Sequence, residues 1–97
     1  MRRSKLETYV KILRVLAHKS PLKLTHIMQR ANVNCSVLKK YLIFLSKEGM
    51  VEERPISGTR VAYSITQRGL TALKFVRELN QMLPIPEEDS SNIPYLY

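Results

Sequence analysis

Cysteine is almost absent. Cys35 stands alone among 97 residues and has no partner for an intramolecular disulfide, which excludes the disulfide-stapled secreted scaffolds and fits a reducing, intracellular setting. Histidine is nearly as scarce: His18, His26 and Cys35 match no zinc-ligand spacing, so no metal is expected. The three glycines, Gly49, Gly58 and Gly69, lie apart as stops and turns and make no phosphate-cradling loop. Glu52 and Glu53 are adjacent on an expected strand and point to opposite faces, so they cannot serve as a paired acid and base. Neither an enzyme nor a cofactor is expected, and no cluster of pocket-lining polar residues points to a small-molecule ligand. No apolar run approaches the ~20 residues of a membrane span. The basic opening Met1-Arg2-Arg3-Ser4-Lys5 is not followed by the apolar block of a secretory signal. A cytoplasmic protein is the expectation.

Acidic residues are half as numerous as basic ones, eight against 16, which gives a net charge of +8 and a pI near 9.9. The imbalance is local. Residues 1–83 hold all 16 Lys and Arg against five acids, a net +11, whereas the last 14 residues contribute −3. A polyanionic partner suits such a chain. The length suits one domain with a modest core, one that would benefit from a partner chain.

Leu24, Ile27, Met28 and Ala31 recur at i, i+3, i+4 and i+7, one face of a helix. After a three-residue turn Cys35, Leu38, Leu42 and Leu45 repeat the pattern, with Ser36, Lys40 and Lys47 pointing the other way and Asn34 placed to cap. Two helices joined by a short turn, the second basic on its outer face, form the arrangement that enters a DNA major groove. Ahead of them, Ser4 and Glu7 form an expected capping box for a first helix with a buried stripe of Leu6, Tyr9, Val10, Leu13, Leu16 and Ala17. Ser20-Pro21 ends that helix and is expected to start the next.

After Gly49 the period shortens to two. Met50 to Arg54 and Val61 to Ile65 read as strands, the second alternating Val61, Tyr63 and Ile65 against Ala62 and Ser64, with a loop over Pro55 to Arg60. Thr66 then caps a last helix reaching about Met82. It holds two seams: Ala72, Phe75, Leu79 and Met82, and Leu73, Val76, Asn80 and Leu83. That stripe is wider than one small domain needs, which leaves a seam for a second copy. The expected dimer interface is Leu73, Val76, Leu79, Asn80, Met82 and Leu83, with Asn80 helping to fix register. Residues 84–97 read as an irregular tail with acids at 87–89 and an apolar close at 93–97, suited to docking on the dimer or to competing with DNA.

Ile27-Met28, Ala31-Asn32, Leu38-Lys39-Lys40-Tyr41-Leu42, Leu45 with Lys47-Glu48-Gly49, and Tyr63-Ser64-Ile65-Thr66 with Gly69 resemble the archaeal winged helix-turn-helix regulators. These are small basic proteins, some of which dimerise through a long antiparallel C-terminal coiled coil. The resemblance covers roughly residues 4–80. It implies a homodimer on double-stranded DNA, with a role in transcription or chromosome organisation. The last helix is shorter here than in the long coiled-coil members, and Cys35-Ser36-Val37 departs from the family's polar-aromatic pattern, so base preference does not carry over.

The expected fold is therefore mainly α with a small β-hairpin: a winged helix-turn-helix over residues 1–83, with a C-terminal dimerisation helix from about 66 to 83. On the recognition helix Ser36, Lys39 and Lys40 are the candidate DNA contacts, joined by Ile43, which either meets a thymine methyl or is an apolar outlier in solvent. Lys23 and Thr25, and Arg2 and Arg3 in the N-terminal arm, are candidates for phosphate. Arg54, Thr59 and Arg60 belong to the wing, where the arginines either reach the backbone or simply end strands in water. Cys35 is either a small core residue or a redox-sensitive thiol at the reading surface. Two other uses of such a fold remain: a protein-interaction module of the transcription machinery, and a single-strand or RNA binder, which would want exposed aromatics among its basic residues.

Overall fold

The computed structural model describes residues 5–83, and these form four helices and one hairpin. The order is α1 (Lys5–His18), α2 (Leu24–Ala31), α3 (Cys35–Lys47), β1 (Val51–Ser57), β2 (Arg60–Ile65) and α4 (Gln67–Met82). Ser4, half of the expected capping box, lies outside the described residues, as do Arg2, Arg3 and the tail from Pro84.

The core is aliphatic. Ile12, Leu16, Ile27, Leu38, Leu42, Leu45 and Val51 are fully buried, drawing one to three residues from each of α1, α2, α3 and β1. On α1 the buried stripe is Thr8, Val10, Ile12, Leu13 and Leu16, which corrects the expected one: Leu6 and Ala17 are exposed and Ile12 is central. The reason is that α1 packs against α2, α4 and β2 at once, so three neighbours, rather than one, decide which of its faces is buried. Tyr9 bridges from α1 to α3, its ring 4.8 Å from that of Tyr41 and stacked 4.9 Å from that of Phe44. Burial, with Tyr41 alongside, pushes the Tyr9 phenol above its usual range.

The second helix starts later than the expected Ser20-Pro21. Its N-cap is Lys23, because Leu22 is held in an isolated bridge to β2: Leu22 N donates to Tyr63 O at 2.9 Å, and Tyr63 N donates to Leu22 O at 2.8 Å. That bridge pairs backbone groups on the edge of β2 away from β1. The hairpin is longer than expected and its loop shorter. The strands run on to a two-residue turn, Gly58-Thr59, with an irregularity between Pro55 and Ser57. Proline is tolerated within β1 because β1 is the outer strand. In β2 the small residues Ala62 and Ser64 are the buried ones, and Val61, Tyr63 and Ile65 are only half-buried. Small side chains at 62 and 64 let α1 and the strand lie close together.

The α3 terminus closes as a left-handed glycine stop. Gly49 has φ +76; its N–H donates to Ser46 O at 3.0 Å, and Met50 N donates to Leu45 O at 2.9 Å. Thr66 caps α4, its Oγ1 accepting from Gly69 N at 3.1 Å while donating to Gly49 O at 2.6 Å. Gly69 is where α4 meets the junction of α3 and β1: a Cβ there would run into Met50 O and lie 2.6 Å from Ile65 Cγ1. At an open helix position Gly→Ala gains roughly 1 kcal/mol. Gly69→Ala is expected instead to destabilise the fold by about 1–3 kcal/mol, the usual cost of overpacking, read as a lower urea midpoint at unchanged m-value.

Candidate nucleic-acid interface

The turn between α2 and α3 is set by two asparagines. Asn32 takes the left-handed conformation at φ 56, which asparagine accepts more readily than most residues, and ends α2. Asn34 starts α3: its Oδ1 accepts from Val37 N at 2.9 Å and from Ser36 Oγ at 3.0 Å. The expected cap is thus in place, and it also engages a candidate contact. With its proton given to Asn34, the exposed Ser36 hydroxyl offers an outside partner its acceptor lone pairs.

Leu38, Leu42 and Leu45 turn one side of α3 into the core, so the opposite side faces solvent. That side carries Ser36, Lys40, Ile43 and Lys47 at intervals of four, three and four, with Lys39 beside them, all exposed. The same spacing would have singled out Lys47, which the sequence reading turned outward without naming it as a contact. Among the described residues none of Lys39, Lys40 and Lys47 is ion-paired. Ile43 is 67% exposed in the middle of this basic stripe. Cys35, in the first turn, is a free thiol and half-buried, between the two environments considered for it. Lys23 and Thr25 are exposed at the start of α2.

The hairpin follows α3 directly through Gly49 and Met50. Thr59 and Arg60 stand exposed at its tip, Thr59 in the turn and Arg60 opening β2. Arg54 lies elsewhere and is differently engaged. It sits mid-strand opposite Ala62, with its guanidinium on Glu52 two residues back: Nη2 at 2.8 Å and Nε at 3.1 Å from one carboxylate oxygen. Both groups are exposed, so the pair adds little to stability, but it cancels local positive charge. The sequence reading paired Glu52 only with Glu53 and missed this partner; the i, i+2 spacing on one strand face is the signal that carries it. Among the described residues no group of three or more His, Cys, Asp and Glu is placed to hold a metal, and no helix is long and apolar enough to cross a membrane.

A helix–turn–helix, a solvent-facing third helix and a hairpin locked behind it are the parts of one known architecture, and the winged helix-turn-helix family model matches residues 2–84. The chain belongs to the winged helix-turn-helix family. Among solved structures, this winged helix is similar to Sso10a-2, a DNA-binding protein from Sulfolobus solfataricus, at 27% identity and a TM-score of 0.69, covering 82% of this chain and 81% of that one. It is also similar to a putative DNA-binding protein from Ralstonia eutropha, at 27% identity and a TM-score of 0.62 over 71% of this chain and 93% of that one. A MarR family transcriptional regulator from Silicibacter pomeroyi shares the fold, with a TM-score of 0.67 at 19% identity, over 92% of this chain and 66% of that one. Of another MarR family regulator the winged helix spans about half, 51%. No curated protein matches the sequence significantly. The fold is that of DNA-binding transcription regulators.

Because Asn34 both caps α3 and holds Ser36, Asn34→Ala is expected to cost about 1 kcal/mol of stability, measured by thermal unfolding, with Asn34→Asp retaining most of it.

Proposed function

We propose that this chain is a homodimeric double-stranded DNA-binding protein, a transcriptional regulator of site-specific or architectural type, that inserts α3 into the major groove. The observation that carries the reading is the outer stripe of α3, Ser36, Lys40, Ile43 and Lys47 with Lys39 beside it, exposed and free of ion pairs to the described residues. Its lysines reach guanine acceptors or phosphates, and Ser36 offers its oxygen to base amino groups. Lys23 and Thr25 contact the phosphates flanking the groove, while Thr59 and Arg60 at the wing tip reach the backbone or the adjacent minor groove. Arg54 joins them only by leaving Glu52. A protein-interaction role gives no reason for unpaired lysines to gather on this helix. Kinship with the archaeal regulators is supported by the likeness to Sso10a-2 at 27% identity.

The dimer rests on α4. Leu73, 8% exposed, and Val76 already serve the chain's own core. The apolar side chains that α4 leaves in solvent are Leu70 in its first turn and then Phe75 (66%), Leu79 and Met82 (77%), with Leu83 just beyond. With Ala72, the residues Phe75, Leu79 and Met82 keep the 3-4-3 spacing of a helix-pairing seam. The seam is continuous with an apolar cleft of about 250 Å³ whose walls include Leu6, Tyr9, Phe44, Met50, Ala72 and Val76. The dimer interface therefore centres on Phe75, Leu79, Met82 and Leu83, with Asn80 at its edge, and sets two copies of α3 on successive turns of the duplex.

Two measurements test the halves of the reading separately. In anisotropy titrations of a labelled duplex of about 30 base pairs, binding is expected to weaken steeply with salt. Lys39→Ala/Lys40→Ala should lower affinity and flatten the log–log salt slope by about 1 for each lysine that meets a phosphate; absence of binding at low salt would overturn the DNA reading. In sedimentation velocity the wild type is expected to run as a dimer and Phe75→Glu as a folded monomer, whereas a monomeric wild type would remove the dimer.

A further inference from the structure

We infer that Ile43 makes this protein a reader of the thymine 5-methyl group, so that α3 discriminates thymine from cytosine at the base pair it covers. The inference rests on the DNA reading above. Ile43 is 67% exposed, more than every large hydrophobic side chain of the described residues except Met82. Unlike Phe75, Leu79 and Met82, it does not belong to an apolar surface. Its neighbours on the outer stripe are Lys39 and Lys40 on the preceding turn and Lys47 on the next, all hydrophilic and exposed. Phe44, the adjacent apolar residue, turns to the flank and stacks on Tyr9. An isolated isoleucine on such a face gains nothing for the folded monomer, and it lies far round the helix from the core-facing leucines.

Toward DNA it has a specific use. The thymine methyl is the one apolar group that a base pair presents in the major groove, and aliphatic side chains recognise it by contact. Isoleucine suits this better than a flexible chain, because branching at Cβ leaves essentially one χ1 rotamer in a helix. The flanking lysines supply attraction without fixing the base, and Ile43 supplies shape. Three residues separate Lys40 from Ile43, an axial step of about 4.5 Å, close to the roughly 3.4 Å spacing of bases along a strand. Lys40 and Ile43 therefore address neighbouring base pairs, the first with acceptor-rich edges and the second with a methyl.

The test uses full-length protein and two alternating duplexes of equal length at one salt concentration, dA·dT and dA·dU, which differ only in the 5-methyl groups. Wild type is expected to bind dA·dT at least about threefold more tightly than dA·dU, the order expected for burying one methyl group. Ile43→Ala should lose most of that preference, while Lys40→Ala weakens binding to both and keeps the ratio. Equal binding of wild type to the two duplexes would overturn the inference and leave the DNA reading intact. So would an unchanged preference in Ile43→Ala, since the methyl would then be sensed elsewhere. Failure to bind any duplex would overturn both.

Discussion

Thr66 holds four elements together at one point. Its hydroxyl donates to Gly49 O at 2.6 Å and accepts from Gly69 N at 3.1 Å, while its own N–H donates to Met50 O at 3.0 Å. The end of α3, the start of β1, the end of β2 and the first turn of α4 are thereby tied through a single side chain and its backbone. The junction is tight enough that Gly69 has no room for a Cβ. Only a residue with a short hydroxyl can both cap a helix and reach back to a carbonyl in this space. Without that tie, the wing would be held to the helix pair by the Leu22–Tyr63 bridge and side-chain packing alone.

From this junction follows the division of labour over the surface. Leu38, Leu42 and Leu45 bind α3 inward by one face and leave its lysines outward. Only Glu48, Gly49 and Met50 lie between α3 and the hairpin, so the wing is held close to the helix it accompanies. On the other side, α4 is anchored by Gly69 and Leu73 in its first half and departs with Phe75, Leu79 and Met82 uncovered. The molecule thus presents a basic, hydrophilic surface and an apolar one on different elements.

Much of this was legible in the sequence where the physics is local. The caps Asn34 and Thr66 were visible because capping depends on the residues within one helical turn, and both are observed. The three-residue turn and the glycine stop after α3 were visible for the same reason. Less legible was anything requiring knowledge of neighbours. The α1 stripe was misplaced because its width depends on α2, α4 and β2 together. The start of α2 was set too early because the demand of β2 for a backbone partner, met by Leu22, is invisible until the chain folds back. The Arg54–Glu52 pair is local in origin, since residues two apart on a strand share a face.

By itself the sequence determined the helix–turn–helix followed by a hairpin and a final helix, together with the basic outer face of α3, because periodicity, capping and charge act between residues a few positions apart. Tertiary structure alone decided which of the two α4 seams the monomer would use and which small residues of β2 would be buried. Those outcomes turn on which surfaces meet, and burial is a property of the whole arrangement rather than of any segment. Leu73 and Phe75 are two positions apart on one helix. Only packing against the rest of the chain made the first a core residue and left the second in solvent.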